Sequence, residues 1–168
     1  MTELVRTATC IVEGLLWAGS VRSLDLCTLL DLQEQGLRRV ISVLPIGNRP
    51  CDQSAEFIRQ LLARLKLQHR IVVSADDAAL PPDYVAHALG DDLAPTLIHC
   101  NAGQNRSTAL AACWLIHHRI GAGTLLDAAR ALSCIMEQRA RDLGAVPRLW
   151  PAMQANVEAF AAWKDAQP

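Results

Sequence analysis

Aromatic side chains are scarce in this chain. One tyrosine, two phenylalanines and four tryptophans make up 4% of 168 residues, too few for a surface on which nucleic-acid bases would stack. Lysine is scarcer still, with Lys66 and Lys164 alone, so arginine carries nearly all the positive charge. Neither sign of charge prevails: 16 basic against 17 acidic residues leave a net charge of −1. That balance gives no electrostatic case for a nucleic-acid partner or an anionic membrane surface. No apolar run approaches the ~20 residues a membrane helix needs. Met1 to Cys10 lacks the basic start, apolar run and small-residue cleavage site of a secretory leader. The six cysteines (Cys10, Cys27, Cys51, Cys100, Cys113 and Cys134) are scattered without a CxxC pair. Such spacing argues for reduced thiols in a cytoplasmic protein over a disulfide framework or a zinc site. Hydrophobic and charged fractions of 51% and 20% are those of a folded chain, and the length suits one domain over residues 1–168.

Repeats, low-complexity tracts and Gly/Ser/Pro linkers are also missing. Thr7–Ser20 reads as two strands broken near Glu13-Gly14. Ser23 can cap a helix that stops at Gly36. The β-branched run Arg39–Leu44 is of strand length, and Pro45–Pro50 reads as a loop. Asp52 opens a helix with apolar positions at Phe57, Ile58, Leu61, Leu62 and Leu65. Ile71–Val73 is a further strand, followed by a loop with Asp76, Asp77 and Pro81-Pro82, then a short helix over Tyr84–Leu89. Thr96–His99 is the fifth strand. Ser107–Ile116 is apolar all round, the mark of a buried helix. Helices are expected at Gly123–Gln138 and Pro147–Trp163, with Pro147 in a first turn. Strands alternating with helices predict an α/β fold around a mostly parallel five-stranded sheet.

The chemistry concentrates in His99-Cys100-Asn101-Ala102-Gly103-Gln104-Asn105-Arg106-Ser107. A strand runs into a tight loop, and a buried helix follows. Such a loop can turn successive N–H groups inward as an anion nest, and the helix N-terminus adds its positive end. Gly103 supplies backbone freedom. Arg106 offers a planar, two-pronged donor for two phosphoryl oxygens, and the same field favours thiolate over thiol at Cys100.

This stretch resembles the signature of the protein tyrosine phosphatase superfamily: His-Cys, five residues, Arg, then Ser or Thr. Leu16–Ser20 and Leu37–Leu44 resemble the opening strands of its dual-specificity branch, and the likeness spans roughly residues 10–135. The resemblance implies a metal-free and cofactor-free phosphatase in which Cys100 is the nucleophile. Arg106 and the loop residues Asn101, Ala102, Gly103, Gln104 and Asn105 would bind the phosphoryl group. Ser107 would stabilise the leaving thiolate, and His99 would order the loop and help keep Cys100 ionised. It also implies a general acid upstream, often with proline a few residues later. Asp77, four residues before Pro81, fits best, with Asp76 the alternative. The expected substrate is a phosphoprotein, on phosphotyrosine and also phosphoserine or phosphothreonine. Small phosphorylated metabolites and RNA 5′-phosphates remain open. Two rival functions are a rhodanese-like sulfurtransferase and a phosphate-binding module without activity. The pair Arg139 and Arg141 reads as a solvated face. His117 and His118 read as imidazoles suited to a helix C-terminus, and the cysteines other than Cys100 as small apolar residues.

Overall fold

The computed structural model describes residues 8–44, 52–75, 78–120, 127–144 and 146–167, without the side chains of 52–55. Five strands form one sheet: β1 (Ala8–Val12), β2 (Leu16–Ser20), β3 (Arg39–Leu44), β4 (Gln68–Val73) and β5 (Thr96–Cys100). Their spatial order is β1-β2-β5-β3-β4. The β1–β2 hairpin is antiparallel, and every other pairing is parallel. The helices are α1 (Leu26–Glu34), α2 (Asp52–Arg64), α3 (Pro82–Leu89), α4 (Arg106–His118), α5 (Ala128–Leu143) and α6 (Pro151–Asp165), with a 3₁₀ turn at Val21–Leu24. The α/β reading with a mostly parallel sheet therefore holds.

Burial on both faces explains why the inner strands read as continuous apolar runs rather than alternating ones. On one face Ile41, Val43 and Ile98 pack with Trp114, Ile135 and Phe160 of α4, α5 and α6. On the other, Trp17, Val40 and Leu97 meet Leu29 and Leu32 of α1 and Leu62 of α2. Residues 107–117 of α4 are all buried, as an all-apolar helix requires. The last strand in sequence, β5, sits in the middle of the sheet, between β2 and β3. Its carboxyl end thus opens into a crevice walled by its neighbours, where parallel α/β sheets place their ligands.

Several boundaries differ from expectation. Asp25, not Ser23, caps α1: its carboxylate accepts from Thr28 N at 2.9 Å, while Ser23 is buried in the 3₁₀ turn. The helix expected over Gly123–Gln138 is capped by Asp127 and runs on to Leu143. Pro147 is buried outside a helix, and Pro151 takes the first-turn position of α6. In both cases a competing cap or proline one turn downstream won. Expected features at Pro45–Pro50 fall outside the described residues.

At the opposite end of the sheet, Arg39 is 1% exposed and bolts three segments together. It donates to both Asp92 carboxylate oxygens at 2.6 and 2.7 Å, to Leu89 O at 2.9 Å and to Gln68 Oε1. His117 and His118 lie nearby, and burial pushes both below the ordinary imidazole range, His118 to about 4. They are neutral near pH 7, so favourable charge–dipole interaction at the end of α4 does not explain them.

Candidate active site

β5 ends at Cys100, and the chain turns through residues 101–105 into α4. Gly103 forces the turn: its φ is +70°, and a Cβ there would lie 2.8 Å from Gly19 O and 2.9 Å from Ser20 N. Glycine alone meets both demands. Held down on the end of β2, Gly103 donates its N–H to Cys100 Sγ at 3.2 Å, and Ser107 Oγ lies 3.3 Å from the same sulfur. The loop is tied at its start by Val21 N donating to Asn101 O at 3.2 Å. At its end Thr108 Oγ1 donates to Gln104 O at 2.8 Å.

Asn105 precedes α4 but does not cap it with its side chain. Its Oδ1 instead accepts from Trp150 N at 2.9 Å, fastening the segment before α6 to the loop. A helix start without a side-chain cap keeps its N–H groups and its positive dipole end available to an anion. Above them lies an open pocket of about 230 Å³, lined by Cys100, Asn101, Ala102, Gln104, Asn105, Arg106, Arg148 and Trp150. Among the described residues its lining holds two guanidinium groups and no carboxylate.

Beneath the loop the site is buried and polar. His99 is 3% exposed, and its Nε2 lies 2.6 Å from Ser42 Oγ. Burial drives His99 down to about 4, while a contact with the Cys100 backbone pulls it partly back up. Arg139 of α5 is 2% exposed and donates through Nη1 to Ala18 O at 2.6 Å, in the strand on which Gly103 rests. Burial lowers its pKa, opposed by the charges of Cys100 and Asp142. The solvated face expected for Arg139 is thus wrong for that residue, whereas Arg141 is exposed. Its spacing from Ala128, Ala131, Leu132 and Ile135 puts Arg139 on the buried stripe of α5, a signal legible in the sequence.

No family model matches the chain, and no curated protein matches it in sequence. Solved structures do. The human tyrosine phosphatase-like serine/threonine/tyrosine-interacting protein superposes with a TM-score of 0.69 at 18% identity, covering 95% of this chain and 98% of that one. PTPMT1 gives 0.67 at 16%, covering 95% and 96%, and has also been solved in complex with PI(5)P. Human DUSP28 gives 0.61 at 20%, again covering 95% and 96%. This chain has the dual-specificity phosphatase fold.

Within that fold, the residues singled out in sequence from His99 to Ser107 come together around one sulfur and one pocket. Arg148 and Trp150 join them without having been anticipated, since nothing local to them signals a return to the loop. Asp76 and Asp77 lie outside the described residues. Cys113 is buried and pushed up by burial, so it is the small apolar residue expected. Cys10, Cys27 and Cys134 are exposed instead, and Cys51 is outside the described residues. Among the described residues no cluster of His, Cys, Asp or Glu could hold a metal ion. None of the described helices is long and apolar enough to cross a membrane.

Proposed function

We propose that this protein hydrolyses phosphate monoesters through a covalent cysteinyl-phosphate intermediate, acting on phosphotyrosine and also on phosphoserine or phosphothreonine in proteins. One observation carries the reading: Cys100 lines the pocket with the Gly103 amide and the Ser107 hydroxyl on its sulfur, and Arg106 lines the same pocket. In the first step the Cys100 thiolate attacks phosphorus and the bond to the ester oxygen breaks. Arg106 and the loop amides hold the equatorial oxygens, and Asp77 gives its proton to the departing oxygen. In the second step a water, losing its proton to the same aspartate, attacks phosphorus. The phosphorus–sulfur bond breaks, and the Gly103 N–H and Ser107 O–H receive the returning thiolate charge. His99 and Arg139 order the loop from below.

The uncharged loop positions Asn101, Ala102, Gln104 and Asn105 favour a singly phosphorylated group over a polyphosphoinositide. The complex of PTPMT1 with PI(5)P makes that headgroup the natural comparison. Phosphotyrosine, phosphoserine and phosphothreonine peptides assayed beside phosphoinositides and p-nitrophenyl phosphate test the substrate class. Cys100→Ser is expected to bind phosphate but turn over none of them. Undiminished hydrolysis by that variant would refute the nucleophile, and cyanide-dependent sulfur transfer by the wild type would favour a sulfurtransferase.

A further inference from the structure

The segment between α5 and α6 reaches the pocket by alternation. Pro147 is buried and Leu149 packs half-buried against the core, whereas Arg148 is exposed and Trp150 is 42% exposed. Trp150 has extended dihedrals, φ −80° and ψ 147°, and along extended chain successive side chains point to opposite sides. Pro147 and Leu149 thus anchor this strap inward, and Arg148 and Trp150 both line the pocket beside Cys100. The main chain fixes its height. Trp150 N donates to Asn105 Oδ1 at 2.9 Å, and Pro151 begins α6 immediately afterwards. No carboxylate among the described residues pairs with Arg148. Apart from Cys100, Arg106 and Arg148, the described lining residues are uncharged.

A phosphoryl group attacked in line by a thiolate keeps its ester oxygen on the side away from sulfur, toward the pocket mouth. In phosphotyrosine that oxygen carries a rigid ring, which rises along the wall and meets the Trp150 indole. Such ring pairs attract beyond the area they bury. In phosphoserine or phosphothreonine the same oxygen is one carbon removed from the main chain. The peptide backbone then has to enter the mouth, where the indole takes up the space. Attraction of one substrate and crowding of the other act in the same direction. Arg148, on the same side of the strap, stands off the phosphate loop and faces what flanks the phosphorylated residue. We propose that Arg148 and Trp150 are the specificity-determining residues of this site: Trp150 selects phosphotyrosine over phosphoserine and phosphothreonine, and Arg148 selects a peptide with an acidic side chain beside it. The inference rests on the reading of Cys100 as a phosphatase nucleophile and narrows its substrate class.

The test uses the full chain and peptides of one sequence, with phosphotyrosine or phosphothreonine at the centre and glutamate or glutamine beside it. Ratios of kcat/KM within each variant are read, so a general loss of activity cancels. The wild type is expected to favour phosphotyrosine, and Trp150→Ala to reduce that preference about tenfold. Trp150→Phe should restore most of it. Alanine keeps the backbone N–H that ties the strap to Asn105; should Trp150→Ala nevertheless not fold, Trp150→Leu, which fills the space without a ring, decides instead. Arg148→Ala should lower the glutamate-over-glutamine ratio about threefold, and Arg148→Glu should invert it. Salt at about 1 M should abolish the wild-type ratio. With the wild type active, an unchanged ratio in either folded alanine variant would overturn the proposal for that residue and leave the phosphatase reading intact. Hydrolysis of a phosphoinositide in preference to every peptide, dependent on Arg148, would overturn it too, by assigning the guanidinium to a lipid headgroup. Calorimetric binding of the same peptides to Cys100→Ser repeats the comparison without turnover. The expected binding preferences beside a wild type that hydrolyses none of the peptides would refute the functional reading and leave the subsite standing.

Discussion

Replacing Gly103 by alanine perturbs the loop at its tightest point. An alanine at φ +70° is in the left-handed region, which costs about 1–2 kcal/mol. The new Cβ would also meet Gly19 O at 2.8 Å, more than half an ångström short of ordinary contact. The neighbour is backbone, and it cannot retreat freely: Gly19 and Ser20 are paired with His99 and Cys100 in the middle of the sheet. Overpacking of this kind costs about 1–3 kcal/mol, so the variant should lose roughly 2–5 kcal/mol unless the loop lifts to relieve it. Lifting moves the Gly103 amide off Cys100 Sγ, where it now sits at 3.2 Å. A displacement approaching 1 Å lowers kcat/KM by about 100-fold. Urea unfolding measures the first quantity and hydrolysis of p-nitrophenyl phosphate the second. Stability within about 0.5 kcal/mol of wild type, together with unchanged kcat/KM, would refute the reasoning that β2 pins the loop.

Arg106→Lys should lose most of kcat/KM, because one ammonium cannot reproduce a bidentate grip on two oxygens; retention of most of the rate would assign the grip to the loop amides. Asp77→Asn should lower kcat strongly for alkyl phosphates but less for p-nitrophenyl phosphate, and should erase the high-pH limb of a bell-shaped profile. If Asp76→Asn does so instead, the two aspartates exchange roles. Acid should destabilise the fold through its buried imidazoles. His99 titrates near 4 when folded against 6.5 when unfolded, so the unfolded chain binds the extra proton in that window. Stability present above pH 6.5 is therefore lost as pH falls toward 4, by on the order of 3 kcal/mol from this group. Urea midpoints at pH 7 and pH 4.5, compared with those of His99→Asn, check the sign.

What the sequence determined by itself is local. The strand of β-branched residues from Arg39 to Leu44, the all-apolar α4 and the span from His99 to Ser107 each carry their instruction within a few residues. A loop nested between a strand and a helix start needs no distant partner to be read. Gly103 was legible for the same reason, although the backbone it presses against was not. Tertiary structure alone decided what lies above and below that loop. Trp150 returns to it through a backbone N–H donating to Asn105, a contact across 45 residues to which a main-chain donor contributes no sequence signal. Arg139 stands on a stripe of α5 that its helical spacing marks for burial, but only tertiary packing brings its guanidinium to Ala18 O of β2. Ser42 is an ordinary strand residue in the sequence, and His69 precedes the strand expected at Ile71–Val73, which the structure extends back to Gln68. Placing β5 between β2 and β3 sets them in line with His99, because the strand order, which no local pattern encodes, fixes which side chains share a face.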